Sequence, residues 1–548
     1  MGFSTLDIVV FVTYCLFIVG LGLWVSRDKK GHEKNSQDYF LASRSLPWWA
    51  IGASLIASNI SAEQFIGMSG SGYALGLAIS TYEWMAAATL LVVGKFFLPV
   101  YIKKQIYTMP QFLADRYNDT VRTVMAVFWL LVYVFVNLTS VIYLGALSIE
   151  TVMGVPFTYA VIGLALFAMV YSIYGGLTAV AWTDVVQVVF LVLGGLVTTY
   201  LALEIVGDGD ILGGLARLRD EAPDHFNMII NEGEMMITDG QGGTRDAYMD
   251  LPGLSVLIGG MWIVNLSYWG FNQYITQRAL AAKDLDNAQR GVLFAGFLKL
   301  LIPLIVVIPG IAAYVIVQNE ELAGSFTQTM TDPETGFIKP DRAYPTLLGL
   351  LPNGLQGVAF AALTAAIVSS LASMANSTST IFTMDIYRHY FNKNASEANL
   401  VRTGRIVVLV AFVIACFVAP ALGVLDQAFQ FIQEYTGFVS PGVFAIFVFG
   451  VFWKKTTPNA ALTAAILTIP LSTLFKFVTP DIPFINRMGI VFLILAAIII
   501  VMSLVGGKGK DQPNSVDIDS GLFKTSAKFN IGALLILGIL AALYTIYW

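Results

Sequence analysis

Runs of about twenty apolar residues recur from one end of this chain to the other, and a run of that length is what a helix needs to cross the hydrocarbon core of a bilayer. Fourteen spans can be placed, at about 6–25, 47–70, 76–101, 122–150, 156–174, 182–203, 252–275, 290–317, 350–387, 402–421, 427–452, 459–477, 487–506 and 528–547. Composition agrees. Of 548 residues, 57% are hydrophobic and 12% charged, where a soluble domain carries roughly 25% charged residues. The chain reads as an all-α polytopic membrane protein. Its opening stretch, MGFSTLDIVVFVTYCLFIVGLGLWV, lacks the basic start and cleavage site of a signal peptide, so it reads as a retained first span.

The loops sort by charge. One set carries Arg27, Lys29, Lys30, Lys34 and Arg44; then Lys103, Lys104, Arg116 and Arg122; Arg278, Lys283 and Arg290; Arg388, Lys393, Arg402 and Arg405; Lys454 and Lys455; and Lys508, Lys510, Lys524 and Lys528. The alternate loops are short or acidic, and the longest, 204–251, holds eleven Asp or Glu against three Arg. By the positive-inside rule the first set is cytoplasmic, and fourteen spans place both termini outside. The net charge of -5 gives no reason to expect nucleic-acid binding. Cys15 and Cys416 lie in apolar runs, and His32, His225 and His389 fall in polar loops. The sequence shows no disulfide framework, metal triad, Ser–His constellation in a span or nucleotide motif, so an enzyme is not expected.

Two spans are interrupted by polar residues that lipid cannot satisfy. The second contains SNISAEQFIGMSGSGY (Ser58–Tyr73), and the seventh contains NLSYWGFNQYITQR (Asn265–Arg278). They lie five spans apart, the spacing of two inverted five-helix halves that each open with a discontinuous helix. Asn59, Glu63 and Gln64 then line a cavity at mid-membrane, where unwound carbonyls can hold an ion. Gly67, Gly70 and Gly72 suit either that cavity or close helix packing. Glu83 and Lys299 are charges inside spans, and such groups pair with each other or with a cargo. Glu63 is a second candidate partner for Lys299. In the ninth span Ser369 and Ser370 adjoin, with Ala366 one turn earlier. Such hydroxyls, with backbone carbonyls, make a hard oxygen site of low formal charge, better suited to a monovalent cation than to Ca²⁺. The other role open to these serines is bonding back to their own helix.

Together GGLTAVAWTDVVQ (Gly175–Gln187), SNISAEQF, SYWGFNQYITQR and AAIVSSLASMANS resemble the sodium/solute symporter family. ISAEQFIGMSGSGY, TYEWM, GFNQY, SSLASM, FQFIQEYTGFVSPG and FWKKTT are similar to its bacterial sodium/galactose branch, and the likeness runs over essentially the whole chain. The resemblance implies a single transporter domain: an extra helix at 6–25, a LeuT-type five-plus-five inverted repeat over about 47–452, and three accessory helices over about 459–547. It implies a sodium ion held by the carbonyls of Ala57, Ile60 and Ala366 and the hydroxyls of Ser369 and Ser370. Asp184 is then on the path by which sodium leaves, or else a helix N-cap. Sugar hydroxyls are expected at Gln64, Glu83, Asn265, Lys299 and Gln433. Tyr268 would stack beneath the sugar, and Met68, Tyr82 and Phe429 would cap it from outside.

The implied function is sodium-driven uptake of a hexose across the bacterial inner membrane, with Na⁺ and a small neutral sugar as partners and no oligomer required. Proline, pantothenate or sialic acid would be the alternative cargoes, and each would want an unpaired cation. A channel would need a polar path without the aromatic gates. One position departs from the branch: Ala86 stands where a serine is expected to contact the sugar, which leaves glucose or galactose preference open.

Overall fold

The computed structural model describes residues 4–25, 36–238, 243–333, 335–424, 428–519 and 521–548. Arg27, Lys29, Lys30, His32 and Lys34 of the first basic loop lie outside the described residues. Every expected span is built of helix, but several are not single rods. Among the described residues, ten helices are long and apolar enough to cross a membrane, or up to twelve if each sharply bent pair is one span. The chain is a multi-pass membrane protein. One bent pair is Ala247–Ile258 with Gly260–Phe271, at 79°, and the other is Ala428–Thr436 with Ser440–Phe452, at 45°.

The second span divides as its polar residues require. The helix Trp48–Asn59 stops, and Ile60 is extended (φ -78, ψ 109). The chain then restarts on a capping box. Ser61 Oγ accepts from the Glu63 amide (3.1 Å), while Gln64 Oε1 accepts from the Ser61 amide (3.0 Å). A π-helical turn, Glu63–Met68, leads into Ser69–Leu75. The seventh span breaks in the same manner. Gly260–Phe271 stops, Asn272 is extended (φ -81, ψ 127), and its side chain caps Gln273–Leu280 through the Tyr274 amide. Each break is thus one extended residue followed by a side-chain cap.

Two expectations are corrected. A connection was expected at 175–181, between the fifth and sixth spans, but the backbone is helical from Phe157 to Val206. That helix is not straight. A Cβ on Gly145 would meet both Leu164 and Ile367, and the Ser369 hydroxyl reaches Asp184. Leu164 and Asp184 therefore approach the same turn of the ninth span, although twenty residues of straight helix would separate them by about 30 Å. Next, Arg116 and Arg278 were counted as loop charges, but both are buried. Arg116 Nε donates to the Gly450 carbonyl at 2.7 Å. The acidic stretch 204–251, described except for 239–242, contains regular structure. It forms the helix Ile211–Glu221 and an antiparallel ribbon of Met236–Thr238 with Thr244–Asp246. His225 is buried there, its ring stacked 4.0 Å from that of Tyr314, and burial lowers its pKa.

The glycines of the second span serve packing. A Cβ at Gly67 would lie 3.0 Å from Phe429, at Gly70 2.7 Å from Asp341 and at Gly72 2.9 Å from the Val307 carbonyl. Gly76 ends the span at φ +65, directly beneath the backbone of His225.

Candidate functional site

The first break leaves the last carbonyls of Trp48–Asn59 without helical partners, the usual state of a helix end. Ala57, Ile60, Ala366, Ser369 and Ser370 are all buried. The Ser370 hydroxyl donates to the carbonyls of Ser58 (3.1 Å) and Ala57 (3.4 Å), so the ninth span meets the break here. These serines do not bond back to their own helix, whereas Thr378 and Thr380 do, to the Met374 (2.8 Å) and Asn376 (2.7 Å) carbonyls. Ser369 turns elsewhere and donates to Asp184 Oδ1, while Ser54 donates to Asp184 Oδ2 at 2.5 Å. Asp184 lies inside its helix, so it is not an N-cap. The oxygens gathered at the break are carbonyls and a hydroxyl, with one carboxylate a residue further along the serine pair. That donor set fits a monovalent cation.

Lys299 and Glu83 form a buried ion pair, with 1% and 4% of their side-chain surface exposed. Of the two candidate partners for Lys299, Glu83 is bonded to it and Glu63 is not, and Asn59 Oδ1 accepts its second hydrogen bond. The ammonium sits 4.9 Å from the Trp269 ring centroid. Asn59 also donates to the Tyr268 hydroxyl (2.9 Å), which accepts from Tyr274 as well (2.5 Å). Tyr268 is therefore held by both breaks at once. Gln433 shares with Tyr268, Ser267 and Asn272 the lining of a cleft of about 490 Å³ including its open mouth. Two further residues expected at the sugar make their hydrogen bonds within their own segments. Gln64 spends its carboxamide oxygen on the capping box, and Asn265 donates to the Met261 carbonyl one turn back (3.3 Å). Of the three residues expected as a cap, Tyr82 meets Phe429 edge-on at 5.1 Å, and Met68 is buried. Ala86 is buried one turn beyond Glu83 on the helix Thr81–Val92.

Sequence reasoning missed what joins the two halves of the site. Arg278 donates to the Tyr274 carbonyl (2.5 Å) and to the Ser373 hydroxyl, and Ser373 lies 3.3 Å from the Ser58 hydroxyl. A polar chain thus runs from the Ser370 contact through Ser373, Arg278, Tyr274, Tyr268 and Asn59 to Lys299 and Glu83. The signal available for Arg278 was its place in NQYITQR, seven residues into the broken stretch. A buried arginine there needs acceptors nearby. The Ser61–Gln64 capping box was also legible, as S-x-x-Q at a helix restart.

Apolar helices broken around a buried charge pair are the arrangement of a secondary transporter. Residues 39–468 match the model of the sodium:solute symporter family. The chain belongs to that family, and sodium is its coupling ion. It is 53% identical over 548 residues to the "Sodium/glucose cotransporter" of Vibrio parahaemolyticus, covering 100% of this chain and 99% of the relative. It is 35% identical over 480 residues to the mouse "Sodium/myo-inositol cotransporter 2", covering 85% of this chain and 69% of the relative. The fold is shared with a Na⁺-coupled sialic acid symporter in a substrate-bound outward-open state, with a TM-score of 0.77 at 21% identity over 92% of this chain and 98% of that one.

Proposed function

We propose that the protein couples sodium inflow to uptake of a neutral hexose, glucose or galactose, through one mid-membrane site exposed alternately to each side. The observation that carries this reading is the first break. At it, carbonyls of Ala57 and Ser58 meet Ser370, and one residue further Asn59 bonds both Lys299 and Tyr268. An ion bound to those carbonyls fixes the end of Trp48–Asn59, and so fixes Asn59 against the cargo pair. In this reading the carbonyls of Ala57, Ile60 and Ala366 and the hydroxyls of Ser369 and Ser370 hold sodium, and Asp184, which Ser369 bonds, is on its way out. Gln64, Glu83, Asn265, Lys299 and Gln433 bind sugar hydroxyls, and Tyr268 is the platform beneath. Met68, Tyr82 and Phe429 are the outer gate.

A neutral cargo is favoured over proline, pantothenate or sialic acid because Lys299 already holds Glu83 and Asn59. A carboxylate cargo would have to break that pair, and leaving Glu83 buried and unpaired costs about 3–5 kcal/mol. The similarity to the Vibrio parahaemolyticus sodium/glucose cotransporter supports a hexose. We further read the chain as fourteen crossings of the bacterial inner membrane with both termini outside: an extra helix over 6–25, the inverted-repeat core over about 47–452, and accessory helices over about 459–547. The protomer contains the whole pathway and requires no oligomer. The test is equilibrium binding of labelled glucose and galactose to purified protein with and without sodium, competed by proline, pantothenate and sialic acid. Sodium-dependent hexose binding that those acids leave untouched supports the reading. Displacement by an acid at lower concentration than hexose overturns it.

A further inference from the structure

A polar cleft of about 660 Å³ lies where the ninth span ends, and it shares no lining residue with the cleft that Gln433 and Tyr268 line. That volume is in the range of small-molecule sites, about 300–1,000 Å³. The cleft opens between the helix Met109–Arg116, the first turn of Asp119–Leu131, the π-helical stretch Phe382–Phe391 and the start of Glu397–Val418. Its walls carry Asp115, Asp385 and Glu397 together with Arg122, Arg388 and Lys393. Three carboxylates and three permanent cations leave it with no excess of either sign. His389 also lines it, 3.6 Å from Asp119.

Two of these charges are buried with polar atoms left unbonded. Asp385 is 2% exposed. Its Oδ1 accepts from the Thr108 hydroxyl (3.2 Å), and its Oδ2 has no hydrogen-bond partner among the described residues. Thr108 is itself fixed as the N-cap of Met109–Arg116, where its hydroxyl accepts from the Gln111 amide (3.0 Å). Arg122 has 13% of its side-chain surface exposed and lies within electrostatic reach of both Asp385 and Asp115. It pairs with the exposed Asp119 (3.0 Å) and not with either of those, and its Nε donates to nothing among the described residues. An unmade buried acceptor and an unmade buried donor each leave a desolvation cost that is not offset. One ligand carrying both a donor and an acceptor satisfies the two together.

We propose that this cleft binds the phosphoethanolamine group, with Asp385 bonding the ammonium and Arg122, Arg388 and Lys393 bonding the phosphate. A ligand of one sign would be opposed by half of the charges on the walls. An ammonium offers three donors to a carboxylate, and a guanidinium fork matches phosphate oxygens. The same chemistry exists in a free ester and in the headgroup of phosphatidylethanolamine. Tyr390 and Phe391, exposed at the end of the same π-helical stretch, favour the lipid, because aromatic rings at span ends sit at headgroup level. Occupancy is felt at the second break. Tyr107 lines the cleft, and its carbonyl accepts from the Gln273 side chain (3.2 Å), whose Oε1 accepts from the Met109 amide (2.8 Å). Gln273 begins the helix that follows Asn272. The ligand thus acts on the inner half of the seventh span without entering the transport path.

The test uses the purified protein and the soluble probes glycerophosphoethanolamine, glycerophosphocholine, glycerol phosphate and ethanolamine. In calorimetry the first should bind more tightly than each of the others. Asp385→Asn should weaken it about tenfold or more, the usual effect for a bond to a charged group, and leave glycerol phosphate unchanged. Lys393→Ala, at an exposed position, should weaken the phosphate probes and leave ethanolamine unchanged. Sodium and hexose binding should hold in both variants. A second arm compares melting in nanodiscs of phosphatidylethanolamine and of phosphatidylcholine with the same acyl chains. Wild type should melt higher in the first, and Asp385→Asn should lose most of that difference. Soluble binding without a lipid preference supports the site with the free ester as its ligand; a lipid preference without soluble binding supports it with the headgroup. If Asp385→Asn does not fold, the wild-type ranking of the probes and Lys393→Ala decide the same question. Glycerol phosphate bound as tightly as glycerophosphoethanolamine would make the cleft a plain anion site and overturn the proposal. So would a response to Asp385→Asn in neither arm.

Discussion

Replacing Lys299 by alanine tests the centre of the site. The ammonium has 1% of its side-chain surface exposed and is shared among the Glu83 carboxylate, the Asn59 carboxamide and the face of Trp269. Removing it strands Glu83, itself 4% exposed, in a cavity where the described structure offers it no other ion pair. Breaking a buried pair from one side costs about 3–5 kcal/mol, because the remaining charge is left uncompensated. Glu83→Ala strands Lys299 and should cost a similar amount. The double variant strands neither, so its loss should fall short of the sum of the two single losses by about 1.5 kcal/mol or more. Unfolding of detergent-purified protein, followed by tryptophan fluorescence, measures all four corners of this cycle. Hexose binding should be lost in all three variants. Strictly additive losses, or a Lys299→Ala variant with wild-type stability and hexose affinity, would refute the pairing as the organiser of the site.

Other outcomes follow from single contacts. Ser370→Ala removes the hydroxyl that meets the Ala57 and Ser58 carbonyls, and sodium-dependent uptake should need several-fold more sodium with expression unchanged; an unaltered sodium curve removes Ser370 from the ion site. Ala86→Ser adds a hydroxyl one turn from Glu83. Competition binding should then shift the galactose-to-glucose preference by about 2–12-fold, the worth of one hydrogen bond of about 0.5–1.5 kcal/mol, and sodium affinity without sugar should hold. Gly76→Ala forces a side chain into φ +65 against the His225 backbone. Strain of about 1–3 kcal/mol should appear as a lower melting temperature, and an unchanged melting temperature would show that the outer segment does not press on that turn.

The breaks were legible because the bilayer makes them so. Polar residues such as Asn59, Gln64 and Asn272 have no place in an unbroken lipid-facing helix, and their five-span spacing gave the repeat. The Glu83–Lys299 pair was legible for the same reason. What lay out of reach depends on contacts between distant segments. Asp184 looks locally like a helix start after Thr183, and only the fold brings Ser54 and Ser369 to it, 130 and 185 residues away in sequence. Arg278 reads as a basic residue at the end of a span, and its burial depends on Ser373, 95 residues further on. The gap between the spans placed at 156–174 and 182–203 implied a connection, yet the backbone is helical through it. Ser369 and Ser370 adjoin in sequence, but a helix turns about 100° per residue, and only the fold shows that one bonds Asp184 and the other the Ala57 and Ser58 carbonyls.

The central claim is that sodium and hexose move together through one site. Proteoliposomes holding the purified protein decide it, with labelled galactose or glucose outside and an inward sodium gradient imposed together with an inside-negative potential. A potential of about 100 mV and a gradient of about tenfold supply roughly 3.7 kcal/mol per sodium ion, enough for about 500-fold accumulation of a neutral sugar at one-to-one coupling. The account predicts transient accumulation well above the external concentration, abolished when the sodium gradient is collapsed and in Lys299→Ala. Uptake that only equilibrates, or that proceeds equally without sodium, would contradict it.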